Sequence, residues 1–334
     1  MRQNEPSYLV VNLVLAALAL FFFAASVYVG RGGELLFAKL HALDEVDRSL
    51  AWLILTEVRL PRALLGLVVG ATLGLTGAGL QGLLRNPLAE PGLIGASSGA
   101  ALGAVLVFYF GLAAGSTMFV ALGGVAGALA SLGLLYLLAG RNPSITTIIL
   151  AGVAISAFAS AFTSLALSLA ASPYAVYEII FWLLGSFTDR SMDQLLFALP
   201  FVVAGLALVF ASARALDALT LGEDTATSLG FNQTRVKLLV ITGTGLAVGA
   251  TVAVAGVIGF VGLVVPHIVR PFVGHQPSRL LLPSAFAGSA LLLAADLLVR
   301  LPVSGPEPKL GVVTSLIGAP FFLWLILRTR REAP

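Results

Sequence analysis

What most limits this chain's choice of fold is a succession of ten apolar runs, near 9–30, 61–84, 93–110, 117–140, 145–171, 194–211, 237–256, 258–272, 279–300 and 311–328. A bilayer core about 30 Å thick is crossed by about 17 to 25 helical residues. The runs fit that length, the third and eighth being short. In lipid each peptide group must be paired inside its own helix or inside a closed barrel, and the alternating strands of a barrel are absent. The sequence therefore predicts an all-α integral membrane protein of about ten transmembrane helices, one transmembrane domain over residues 1–334. A mean hydropathy of +1.01 and a charged fraction of 10% exclude a water-soluble domain of this size.

Within the second and third runs, Gly66, Gly70 and Gly74 recur every four residues, as do Gly95, Gly99 and Gly103. Such ladders give a helix a stripe without side chains, against which another backbone can pack closely. Between them lies a polar turn, Arg85, Asn86 and Pro87. Ten crossings put both termini on one side. With the termini inside, eleven of the 19 basic residues are cytoplasmic, which satisfies the positive-inside rule. The first run exceeds the 7–15 apolar residues of a signal peptide, despite a faint cleavage-like Ala24 to Ser26, and is read as a retained anchor.

An internal repeat is legible at an offset of 179: Gly66, Gly70, Ala71, Thr72, Gly77, Pro87 and Gly95 recur as Gly245, Gly249, Ala250, Thr251, Gly256, Pro266 and Gly274. The repeats begin five crossings apart and so lie in opposite orientations, an arrangement known in transporters.

Several familiar chemistries are missing. Gly77, Gly79 and Gly82 match the spacing GxGxxG but lie inside an apolar span, so helix packing explains them better than nucleotide binding. No GxxxxGK[ST] occurs, so the chain has no P-loop ATPase of its own. His41, His267 and His275 show no chelating spacing and the chain lacks Cys, which leaves no expected protein-held metal. No GxSxG or placed Ser/His pair indicates a hydrolase, so no catalytic residue is expected. An ion-coupled secondary transporter is the alternative that the inverted repeat alone allows. It needs carboxylates at mid-membrane, and none is visible.

Four further features stand out. Leu221 to Gly230 reads as a short helix with Glu223 and Asp224 in its first turn and Gly230 as its stop, within the charged loop 211–237. Ser156, Ser160, Ser164 and Ser168, with Thr163, form a hydroxyl stripe on the fifth run, suited either to interhelical hydrogen bonds or to a wet path. Residues 34–55 have the spacing of an amphipathic surface helix. Asp296 and Arg300 are placed for an i,i+4 ion pair.

Six segments together, RLPR from Arg59, RNPLAEPGLIG from Arg85, LAGVAIS from Leu150, FWLLGSF from Phe181, LGEDTATSLG from Leu221 and GFVGLVVPHIVR from Gly259, resemble the FecCD-type permease subunits of type II ABC importers for iron-siderophore, haem and cobalamin chelates. The resemblance implies a multi-pass permease of the bacterial inner membrane. It would work with a second copy of itself, two cytoplasmic ATPase subunits that use ATP and Mg, and an outer substrate-binding protein, with no cofactor bound by this chain. Iron-siderophore ranks first as cargo, haem or cobalamin close behind. It further implies that Leu221, Gly222, Glu223, Asp224, Ala226 and Gly230 engage the ATPase. Arg59, Arg62 and Arg300 would grip carboxylates of the binding protein. The stripe Ser156, Ser160, Thr163, Ser164 and Ser168 would line the path, with Ser144, Thr146 and Thr147 at its inner gate. FWLLGSF would be a short re-entrant helix near the outer mouth. Many relatives carry Glu-Leu-Pro before the last span where this chain has Glu307, Pro308 and Lys309.

Overall fold

The structure, a computed structural model, describes residues 7–29, 45–140, 143–300 and 307–332. The chain forms α1 (Tyr8–Tyr28), α2 (Glu45–Ile54), α3 (Leu60–Leu84), α4 (Ala96–Tyr109), α5 (Met118–Ala139), α6 (Ile145–Ser168), α7 (Pro173–Leu183), α8 (Met192–Ala211), α9 (Ala213–Leu219), α10 (Glu223–Ser228), α11 (Gln233–Ala255), α12 (Val261–Val269), α13 (Pro277–Arg300) and α14 (Leu310–Glu332). No strand occurs among the described residues. Among the described residues seven helical stretches are long and apolar enough to cross a membrane: α1, the continuous stretch from α2 to α3, α5, α6, α8, α11 and α13. Three shorter apolar helices, Ala96–Tyr109, Val261–Phe272 and Leu310–Leu325, occupy the remaining expected spans. At 1.5 Å per residue Val261–Phe272 is only about 18 Å long, too short to cross alone.

Side-chain size explains the core. Helix α3 is buried along most of its length and packs chiefly on α13, with α11 and α12 also against it. A methyl group on Gly70 would collide with the backbone of Gly288 and Ser289, and one on Gly288 with the carbonyl of Gly70. The two backbones touch directly, and the Ser289 hydroxyl donates across the seam to the Leu67 carbonyl at 2.7 Å. Helices α4 and α5 meet in the same way: Gly99 and Gly103 lie against Gly127 and Gly123. Because lipid gives apolar side chains no reason to prefer a neighbouring helix, contacts of this closeness supply the dispersion that holds such a bundle together.

Two expectations need correction. Gly95 is not a rung of the second ladder: at φ 78° it closes a 3₁₀ turn, Pro91–Ile94, just before α4. A side chain would also meet Ile155 there. The described part of 34–55 is not a separate surface helix, because α2 continues through a π-helical turn, Leu55–Arg59, into α3. Pro61 stands just after this π-helical turn and does not end the rod. Residues 34–44 lie outside the described residues.

Candidate functional site

The sequence-predicted residues fall into three regions. At one end of the bundle, α10 is a single helical turn and a half, entered through Gly222 at φ 108° and left through Gly230 at φ 88°. Ala226 is fully buried in a cluster with Leu216, Leu219 and Val236, while Leu221 and Leu229 on either side are exposed. The Gln233 amide donates to the Glu223 carbonyl at 2.8 Å and lies 2.9 Å from the Thr227 hydroxyl. The result is a fixed polar knob with apolar flanks. Arg85 reaches the Glu223 carboxylate at 3.8 Å, a pairing of partners far apart in the chain that the sequence did not suggest. Helix α9 carries α10 and packs on α13 and α3. Its Asp217 accepts from the Gln276 side chain and the Ser278 N–H, both at 2.8 Å, fastening it to the start of α13.

The second region is α6. Ser160, Ser164 and Ser168 are exposed, Ser156 and Thr163 half-buried, and none of the five makes a side-chain hydrogen bond to a described residue. Hydrogen bonding between helices within this chain therefore does not account for the stripe. Helix α6 packs on α4, α5 and the Pro91–Ile94 turn and leaves its other face uncovered. Ser144 caps α6, accepting from the Thr147 N–H at 3.0 Å and lying 2.9 Å from the Thr147 hydroxyl. Thr146 is exposed beside them. The expected gate residues thus lie together at the start of α6.

Beside Ser156 lies a cavity of about 370 Å³, lined also by Glu90, Ser97, Ser98, Gly259 and Phe260 among others. Glu90 was assigned no role from the sequence, where it reads as one letter of a longer motif. Burial pushes its carboxyl above the usual range, and a hydrogen bond from the Phe260 N–H opposes that rise. A carboxylate in the short turn between two apolar runs was the available signal.

The third region, at the other end of α3 and α13, holds the three arginines expected to dock a binding protein. In the isolated chain Arg59, Arg62 and Arg300 are turned inward. Arg59 is 6% exposed and donates to the Val27 and Tyr28 carbonyls at 3.0 and 2.7 Å. Arg62 forks onto Asp296 through Nε at 3.1 Å and Nη2 at 2.9 Å, and Nη2 also meets Glu307 at 3.1 Å. Arg300 pairs with the other Asp296 oxygen, as the i,i+4 spacing suggested, and also donates to the Ser26 carbonyl at 2.7 Å and hydroxyl at 2.8 Å. Asp296 itself is 1% exposed. The physical reason is desolvation. Buried guanidinium groups need acceptors, and Asp296, Glu307 and the last carbonyls of α1 supply them. Thr188 also donates to Glu307 at 3.3 Å. The Phe187 ring of the FWLLGSF segment is buried against this core. Helix α7 ends at Leu183, so this motif is half helix and half turn.

The fold that carries these three regions is shared with known proteins. The FecCD transport family matches residues 11–328. This chain belongs to that family. Its relatives include the vitamin B12 import system permease protein BtuC of Vibrio cholerae, 39% identical over 98% of this chain and 95% of that one. Another is the hemin transport system permease protein HmuU of Yersinia pestis, 39% identical over 84% of this chain and 85% of its own length. The permease protein YvrB of Bacillus subtilis is 40% identical over 83% and 80% respectively. A solved structure described as an inward-facing conformation of a putative metal-chelate type ABC transporter aligns with a TM-score of 0.84 at 32% identity. It covers 95% of this chain and 99% of its own. As a FecCD member, the chain is a substrate-translocating permease subunit of an ABC importer, and ATP hydrolysis belongs to separate chains.

Proposed function

We propose that this FecCD permease carries a bulky metal chelate inward across the bacterial plasma membrane, an iron-siderophore first and haem or cobalamin next, through a path between two copies of itself. The observation that carries this reading is the uncovered face of α6, whose Ser160, Ser164 and Ser168 are exposed and make no side-chain hydrogen bond among the described residues. Hydroxyl groups facing lipid gain nothing, whereas a hydrated path between subunits solvates them. Helix α14 offers a matching surface, with Leu316, Ile317, Leu323, Trp324 and Leu327 exposed. Two cytoplasmic ATPase subunits would engage the α10 knob through Leu221, Gly222, Glu223, Asp224, Ala226 and Gly230, which places both termini and the gate at Ser144, Thr146 and Thr147 inside. An outer binding protein would deliver the chelate. The inward arginines imply that it docks on other groups, or on these only after the network opens.

The chain has no cysteine, so Ser164→Cys creates a unique thiol. In the assembled importer a water-soluble thiol reagent should label it and block uptake, while Leu137→Cys, exposed on α5, stays dark. A Ser164→Cys thiol that labels only with lipid-soluble reagents would overturn the path.

A further inference from the structure

Where α3 ends, a second cavity of about 220 Å³ lies between the Arg85–Pro87 turn, Thr220 at the end of α9, and the segment from Arg270 to Pro277. One water needs about 10–15 Å³, so the space seats a polyatomic group. Its polar lining is Gln81, Arg85, Thr220, Arg270 and His275, without a carboxylate. Arg270 gives Nη2 to the Gln81 amide oxygen, but its Nε is buried with no acceptor, and among the described residues no carboxylate lies within 4.0 Å of it. A buried guanidinium N–H left unpaired is costly, so an acceptor is missing at this place.

The backbone gives an independent sign. Four residues other than glycine have positive φ among the described ones, and two of them, Arg85 at 48° and His275 at 61°, line this cavity. Both positions would be held with less strain by Gly or Asn. Strain retained at two points that aim basic side chains into one cavity points to a ligand. Among the described residues the one charge partner of Arg85 is Glu223, at 3.8 Å and partly exposed.

We propose that this cavity binds a phosphate group. Guanidinium forks from two sides suit its oxygens better than any neutral ligand. On the reading that the α10 end faces the cytoplasm, the group is either the headgroup of an anionic inner-leaflet lipid or a soluble phosphate, which share the same chemistry. Because Arg85 also meets Glu223, the occupant competes for the residue that ties this turn to α10, so occupancy would adjust how firmly the knob is held.

The test uses purified, delipidated full-length permease in detergent. Native mass spectrometry with phosphatidylglycerol against phosphatidylcholine should show preferential retention of the anionic lipid, weakened about tenfold or more by Arg270→Gln, the loss expected for one charge-assisted contact. Arg85→Asn and His275→Asn, which tolerate left-handed backbone, should weaken it too and serve if Arg270→Gln misfolds. Exposed Arg235→Gln should not change it. In a second arm inorganic phosphate is compared with chloride at equal ionic strength. Thermal stabilisation by phosphate that Arg85→Asn abolishes, without lipid preference, assigns the site to a soluble phosphate. If neither probe separates wild type from the variants, or Arg235→Gln acts as strongly as Arg270→Gln, the site does not exist. Loss of ATPase-subunit binding in the variants without any phosphate effect would instead mean a protein carboxylate fills the cavity, and would also overturn the proposal. Retention in detergent does not depend on sidedness, so a negative result counts against the site and leaves the transport reading standing.

Discussion

Removing the Asp296 carboxylate should be among the most damaging single changes in the chain. Asp296 is 1% exposed and accepts from both Arg62 and Arg300, whose side chains are 11% and 6% exposed. Asp296→Ala strands two cations beside each other with little water, and Glu307, 25% exposed and touching Arg62 at 3.1 Å, cannot neutralise both. Breaking a buried pair by deleting one partner costs about 3–5 kcal/mol, most of it the uncompensated charge. At about 2 °C per kcal/mol for a larger domain, the unfolding midpoint should fall by about 6–10 °C. The assay is thermal unfolding in detergent followed by size-exclusion fluorescence. Glu307→Gln removes a more exposed partner and should cost about 1 kcal/mol or less. Adding Arg62→Leu to Asp296→Ala removes one stranded cation and should restore part of the loss. If Asp296→Ala unfolds with wild-type stability, or gains binding-protein association while staying stable, the arginines are docking groups and the structural account is wrong.

The Glu90 carboxyl lies above its ordinary range because it is buried, so its protonated form favours the folded state. That contribution is full below the unfolded value of about 4.3 and is lost as pH rises through the higher folded value; Glu90→Gln should flatten this part of the stability-against-pH curve, and an unchanged curve would refute the assignment. Glu223→Arg reverses the charge on the α10 knob and places like charges at Arg85, so ATPase activity should no longer drive uptake in reconstituted vesicles although the permease still inserts; coupled transport at the wild-type rate would refute the coupling role.

The spans were legible because a run without charge has few alternatives in a membrane, and the packing of Gly70 and Gly74 followed from spacing alone. Spacing also misled: Gly95 keeps the four-residue rhythm, but rhythm carries no φ, and only the structure shows it as a turn. Residues 34–55 read as a surface helix, and the continuous helix that runs on through Glu57 and Arg59 was hidden because their solvation is not written in their order. The Asp296–Arg300 pair was readable at i,i+4. The Arg62–Asp296 fork joins residues 234 apart, and nothing in one sequence announces such a partner. The α10 helix was predictable to its terminal glycines because capping is local. The Glu90 and Arg270 cavities were not, since a cavity belongs to several segments at once.

The seam between α3 and α13 has a mechanical meaning. Where two helices touch through side chains, rotamer changes act as springs that absorb small displacements; between Gly70 and Gly288 there are none to absorb anything. Helix α9 is pinned to the start of α13 by Asp217, so on the proposed coupling it would deliver motion from α10 to this stiff pair. Helix α14 is lightly held at the margin, and α6 leaves one face uncovered. On the proposed coupling and path, the chain would keep the part that bears load apart from the part that meets cargo: the first would move as one beam, and the second would yield to a large passenger without slackening the drive.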